Sequence, residues 1–557
     1  MHKFFMIDEK ELEGNFQKLL DRKINSPEDL KKWLVDESKL YDGVKEKLSR
    51  NYFATNCYSD NKEIKATYEH DNEVIWPLLK KYGELLDKFF YNSEYRNQLG
   101  SYYDNLVKKR ANSIEIFRKE NIDIEVKEDK LCTKYYDITG NMSVMWNNEE
   151  KTLQQMSVYM KDSDREMRKN AWTLVQNRRL KDSKELDEIM DNLVKLRNEK
   201  ALNADCKDFV EFMFKKLERF SYTPEDCIEL QESVLKSVVP IVNEIRDRHK
   251  EEIKVEDYRP WDVSAVKEGQ KPLKPYNNVN ELIDGVLKIF KKKDEIFFNT
   301  LNKMKNSETL DLESRKAKSP GGFCDVFRVS NTSCIFMNEA QSQDDLATLT
   351  HEGGHSVHNT LTSNIEIADY AEMPSETAEL ASMSMELICM DSWDVFYKDE
   401  EELKRAKREH LEGIIEFLPW GVLVDRFQHW MYSHPEHSAE ERNEKFAEMA
   451  KQFQFQTVDF SGYEDALKNF WKKQLHIFEV PFYYIEYVMA QLGALQIWRN
   501  YKKDPKRAIE SYKKALSLGS SVSIPEVYAA AEIKFDFSEN MIKELMEFVK
   551  SELDKLY

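Results

Sequence analysis

The sequence predicts a mainly α-helical protein, and three observations carry that prediction. Glycine and proline are scarce, 16 and 14 among 557 residues, about half of average usage. Both break helices and populate turns. Glu, Lys, Leu and Met, all good helix formers, are abundant. Apolar residues also recur at helical spacing, as in 186–202, where Leu186, Ile189, Leu193 and Leu196 stand among charged neighbours.

Taken in order, the first 260 residues read as successive amphipathic helices that pack on one another. One runs over 227–249, starts near Thr223-Pro224-Glu225 and is kinked at Pro240. Residues 258–276, with Pro260, Gly269, Pro272 and Pro275, read as a long loop. Helical pattern resumes over 279–304. Ser319-Pro320-Gly321-Gly322 marks a turn. Phe323–Val329 and Ser333–Met337, joined through Asn331-Thr332, read as a β-hairpin. We read Ser333–Met337 as an edge strand able to pair with an extended peptide. From Asp344 onward the chain is helical again. A soft boundary divides it into a helical N-terminal lobe, 1–320, and a second region, 321–557; no flexible linker separates them, and the two are expected to pack as one body.

Composition excludes several functions. The formal net charge is −19, the wrong sign for a nucleic-acid or anionic-membrane surface. No run of 18 apolar residues occurs, so no transmembrane helix is expected. The apolar N-terminal stretch is interrupted by Asp8 and Glu9 and lacks a signal-peptide core. Seven widely spaced cysteines without a Cys-x-x-Cys pair fit free thiols in a reducing compartment, the cytoplasm.

The chemistry lies in His351-Glu352-Gly353-Gly354-His355. Residues four apart share a helix face, so both imidazoles can reach one metal ion, while Glu352 is placed to act on water. Imidazole and carboxylate donors suit zinc, one ion per chain. Gly353 and Gly354 cost helix stability, roughly 1 kcal/mol each relative to Ala, and permit close approach of a neighbouring strand or of substrate. A catalytic zinc needs a third protein ligand. His358 is too close to His355, and Leu361 stands where a third histidine would fall. A carboxylate is the better candidate. Ser375 can cap a helix, SETAELASMSMEL, and Glu372, Glu376, Glu379 and Glu386 compete. Glu372 falls in the preceding loop. Spacing alone favours Glu376 or Glu379 without choosing between them.

The H-E-x-G-H pattern, followed 28 residues after His351 by Glu379-Leu380-Ala381-Ser382 and Glu386, resembles the oligoendopeptidase F and thimet oligopeptidase group, the bacterial oligoendopeptidase F branch most. The segment from His476 to Tyr487, HIFEVPFYYIEY, is similar to that family's histidine–tyrosine segment. The resemblance covers about residues 320–500. It implies Glu379 as the zinc ligand, and a helical, ellipsoidal body split by a deep channel that admits short peptides and excludes folded proteins. It also implies His476 and Tyr487, with Tyr483 next, as donors to the oxyanion. Without it, Tyr483, Tyr484 and Tyr487 read as an aromatic packing stripe. Gly353 departs from the bulkier residue common in the family.

The function expected is therefore a zinc-dependent endopeptidase acting on short, unstructured peptides. Two alternatives remain. One is a zinc carboxypeptidase or dipeptidase, which would need a cation such as Arg426 or Arg499 for the terminal carboxylate. The other is a non-catalytic peptide-binding scaffold. Nothing in the sequence sets the oligomeric state.

Overall fold

Few helix breakers leave long uninterrupted runs, and the chain folds accordingly. The computed structural model describes residues 2–557, which are mostly helical with five short strands. Side-chain caps start many helices: Ser26 caps Pro27–Cys57, Asp164 caps Arg165–Lys181 and Asn278 caps Val279–Lys293. The helix expected over 186–202 lies inside Ser183–Asn203, with Leu186, Ile189 and Leu193 buried. The helix expected over 227–249 is instead two, Pro224–Ser237 and Val239–Glu252. Pro240 has no N–H to continue the first ladder but suits the first turn of a new helix, so the kink is a break. Residues 258–276 form no helix or strand.

Two small sheets interrupt the helices. Strands β1 (Ser143–Trp146) and β2 (Glu149–Thr152) form an antiparallel hairpin. Its turn residues Asn147 and Asn148 both have positive φ, 51° and 66°, which matches a tight two-residue turn. This hairpin has no signature in the sequence, because β2, EEKT, carries no apolar alternation.

The second sheet has the order β3-β5-β4: β3 is Leu310–Glu313, β4 is Phe323–Phe327 and β5 is Thr332–Glu339. The β4–β5 pairing is the expected hairpin, while β3 adds in parallel on the far side of β5. Ser333–Met337 is therefore the central strand and not an edge. Its backbone is already paired on both sides, and Cys334, Ile335 and Phe336 are fully buried. The four residues of β3 were too short a signal to reveal this neighbour. The sheet's edges are β3 and β4.

The chain divides into two compact units of interleaved segments. One comprises residues 1–115, 273–407 and 489–535, the other residues 116–272, 408–488 and 536–557. Residue 320, where the sequence changes texture, lies inside the first. That unit contains the second sheet, helix Gln343–Leu361 with the H-E-x-x-H residues, and helix Ser375–Met390. The first of these helices starts with a reciprocal cap: Ser342 and Asp345 each bind the other's backbone N–H through the side chain. The second is not capped by Ser375. It begins at Ser375, and Pro374, with φ at −57°, holds the cap position without a side-chain hydrogen bond.

The two glycines of the motif explain how these elements meet. A Cβ on Gly354 would lie 2.6 Å from Ser382 Cα and 2.9 Å from Ala381 O. Both are backbone atoms of helix Ser375–Met390 and cannot step aside. A Cβ on Gly353 would meet the Phe290 ring at 2.7 Å. The close neighbours are thus a helix and a ring, not the strand or substrate expected. Phe290 occupies the space beside Gly353 where a larger residue would project.

Replacing Gly354 by Ala should push the two helices apart, at a cost of about 1–3 kcal/mol. Gly413, which has nothing within 4 Å of a built Cβ, is the control, and Ala there should be neutral or slightly stabilising. Urea denaturation of both variants checks this; equal midpoints would refute the close-packing argument.

Candidate active site

Helix geometry places His351 and His355 on one face, with ring centroids 5.0 Å apart. The neighbouring helix brings Glu379 to them. Its Oε2 lies 3.3 Å from His351 Nε2 and 3.6 Å from His355 Nε2. The three ligand atoms lie within 4.8 Å of one another. Tetrahedral zinc with bonds of about 2.0–2.1 Å requires ligand–ligand separations of roughly 3.3 Å. The donor set and its spacing therefore fit a zinc ion.

The supporting groups come mainly from helix Ser375–Met390. Glu386 Oε1 lies 2.6 Å from His351 Nδ1. A carboxylate accepts, so Nδ1 carries a proton, and this bond orients the ring with Nε2 facing Glu379. His355 hydrogen-bonds to the Ala378 carbonyl. Ser382 Oγ donates to Glu379, 3.1 Å from Oε2. One helix face thus supplies Glu379, Ser382 and Glu386, at i, i+3 and i+7. That spacing was visible in the sequence, but the roles of Ser382 and Glu386 were not.

The other acids separate cleanly. Glu376 is buried one turn earlier, near Tyr528, and is not one of the three clustered ligands. Glu372 follows the short helix Ala368–Ala371 and pairs with Lys45. His358 is buried, its imidazole driven down to about 3 by desolvation, and bonds to the Leu516 backbone. It belongs to the core.

Electrostatics in the cluster follow from burial. Desolvation pushes the Glu352 carboxyl up to about 7, with His351 opposing and Glu379 reinforcing the shift. Burial alone would raise Glu379, but His355 and His351 hold it down at about 2. Burial brings His355 down to about 4 against the pull of Glu379. His351 goes the other way: desolvation disfavours its charge, but Glu379 and Glu386 outweigh it and raise it well above the usual range. Beside them, β4 contributes Cys324, whose Sγ is 3.3 Å from Ser356 Oγ and whose thiol feels the Glu352 charge.

His476, Tyr483, Tyr484 and Tyr487 belong to the second unit and form a cluster of their own. The His476 ring lies 4.9 Å from Tyr484 and 6.2 Å from Tyr487, and Tyr483 and Tyr487 are 5.1 Å apart. Gln474 Nε2 is 2.7 Å from His476 Nδ1, and burial lowers the imidazole's pKa. The three tyrosines are half-buried, while Ile485 and Val488 between and beside them are fully buried. Tyr484 and Tyr487 also lie 5.8 and 6.4 Å from the Phe417 ring. Arg426, considered for a substrate carboxylate, is already paired with Glu232 at 2.5 Å.

The sequence profile of peptidase family M3 matches residues 158–547. The chain is 20% identical over 551 residues to an oligoendopeptidase F homolog of Lactococcus lactis subsp. lactis (strain IL1403), covering 92% of this chain and 88% of that one. An oligoendopeptidase F homolog of Mycoplasma genitalium is 22% identical over 405 residues, which is 66% of this chain and 62% of the relative. Among solved structures, PZ peptidase A with inhibitor 2 superposes with a TM-score of 0.92 at 26% identity, covering 99% and 98% of the two chains. The helical fold and the family resemblance of the motif region both stand: with a match over more than half its length, the chain belongs to peptidase family M3, a family of metallopeptidases.

Proposed function

We propose that the protein is a zinc-dependent endopeptidase of short, unstructured peptides, with one zinc held by His351, His355 and Glu379. The observation that carries this is the convergence of two imidazole nitrogens and one carboxylate oxygen at 3.3 and 3.6 Å. The names of its relatives, oligoendopeptidase F among them, support the peptide substrate. Zinc bound there supplies a Lewis acid for the scissile carbonyl and lowers the pKa of water from about 15.7 toward about 7.

The chain's own residues do the rest. Glu352, adjacent to the first histidine, takes the proton from the attacking water. It then delivers that proton to the departing amine nitrogen, so that one carboxylate serves as base and acid. Glu386, Ala378 and Ser382 hold the ligands in register. His476 and Tyr487, with Tyr483, donate hydrogen bonds to the oxyanion as the carbonyl becomes tetrahedral. Exclusion of folded proteins and action in the cytoplasm belong to the same reading. Of the two cations named for a carboxypeptidase, Arg426 and Arg499, the first is already engaged with Glu232.

A peptide blocked at both ends, read by mass spectrometry with and without chelator, tests the reading. Internal cuts that chelation abolishes support an endopeptidase; an uncut blocked peptide beside trimmed free peptides would favour a carboxypeptidase. Glu352→Gln should lower kcat by about 10²–10⁴-fold while zinc content stays at that of the unmodified protein.

Glu379→Ala should abolish stoichiometric zinc binding, and Glu376→Ala should leave it intact, as metal analysis after dialysis will report. Equal retention by both variants would overturn the ligand assignment.

Glu386→Ala leaves the three ligands in place and frees the His351 ring. Zinc affinity should fall about 10–100-fold in a competition titration with a chelating dye. An unchanged affinity would leave Glu386 without a role at the site.

A further inference from the structure

Phe482 immediately precedes the tyrosines and has φ of +67°, a left-handed conformation that non-glycine residues rarely adopt. Such strain persists only where the surroundings over-determine it, and it clusters at functional sites. Both peptide groups of Phe482 are held. Its N–H donates to Gln428 Oε1 at 2.9 Å, and its carbonyl accepts from Arg219 Nη2 at 2.5 Å. Its ring is fully buried, beside His429 at 5.1 Å and Tyr432 at 5.6 Å.

Arg219 is itself fixed. Its guanidinium also donates to Glu486 Oε1, at 2.8 Å from Nη2 and 3.3 Å from Nε, and lies over the Phe214 ring at 4.7 Å. Arg219 is 5% exposed and Glu486 3%. The other end of the segment repeats the device. Arg197, 2% exposed, donates to the carbonyls of Ile477 and Phe478, just after His476, and is anchored by Glu128 at 3.0 Å and Tyr432 Oη at 2.6 Å.

Stability alone is a poor explanation for such pairs, because well-packed apolar residues often serve a core equally well. A guanidinium does what an apolar residue cannot: its planar fork fixes a carbonyl and a carboxylate together. We propose that Arg219, with Glu486 and Gln428, is a positioning group that locks the Phe482 turn and so sets the direction of Tyr483 and Tyr487. The inference rests on the reading that the His476–Tyr487 segment serves the oxyanion.

The test replaces both charges, Arg219→Met with Glu486→Met, so that neither is left buried alone. Zinc content and melting temperature should stay close to those of the unmodified protein. The value of kcat on a blocked, internally quenched peptide should fall roughly ten- to a hundredfold, with KM changing much less. In a Tyr483→Phe, Tyr487→Phe background the same pair should lower kcat far less, because the groups it positions are already gone. A normal kcat, or an equal factor in both backgrounds, overturns the proposal. If the paired variant does not fold, Gln428→Leu, which removes the acceptor of the Phe482 N–H and, besides it, a donor to the Val424 carbonyl of its own helix, should still lower kcat severalfold with zinc retained; a normal kcat there overturns it as well. Single His476→Ala, Tyr483→Phe and Tyr487→Phe variants separate the two levels. If none lowers kcat, the reading of the segment fails and this inference with it. If they do and the clamp variants do not, the inference alone fails.

Discussion

The contact between Gly354 and the Ser382 backbone governs the geometry of the site. Two helices can approach this closely only where a side chain is missing on one of them. A Cβ at 354 would stand 2.6 Å from Ser382 Cα, so a larger residue would push the helices apart by roughly 1 Å to restore ordinary carbon–carbon contact. Glu379 is one turn before Ser382 and Glu386 one turn after it. The same contact therefore sets the reach of the carboxylate to both histidines and of Glu386 to His351. Helix propensity lost at Gly353 and Gly354 is the cost of that approach, roughly 1 kcal/mol per glycine.

Charge explains why the cluster is a place for a cation. Glu352, Glu379 and Glu386 gather beside two imidazoles, with Glu352 8% and Glu379 6% exposed. Buried carboxylates are costly unless paired, and the two rings share out their limited charge unequally: His351 is driven up and His355 down. A divalent ion between the three ligand atoms would balance this acid excess. It would also favour the neutral imidazoles that coordination requires. The arrangement of ligands and the electrostatics of their surroundings thus support the same proposal.

The second unit uses buried charge differently. Arg197 and Arg219 each meet a buried carboxylate and backbone carbonyls of the segment between His476 and Tyr487. These are buried hydrogen-bonded networks in a low-dielectric interior, where each bond is strong and each missing one expensive. They specify one backbone path, including an unfavourable turn at Phe482, and leave the tyrosine rings half-buried. Ile485 and Val488 on the same helix are fully buried.

By itself the sequence determined the helical class, from its lack of Gly and Pro. It also determined the H-E-x-x-H face, because a spacing of four on a helix is a geometric fact before any tertiary contact exists. The β4–β5 hairpin was legible for the same local reason: turn residues flanked by short apolar runs. Glu379 over Glu376 was not decided by spacing, since both lie on nearby positions of one helix; only the resemblance preferred it, and only packing brought its oxygen to 3.3 Å from His351 Nε2. The central place of Ser333–Met337, the break at Val238, the interleaving of the two units and the clamp on Phe482 all depend on partners distant in the chain. Such partners leave no periodic trace in sequence, because a hydrogen bond between Arg219 and Phe482 constrains two positions and nothing between them.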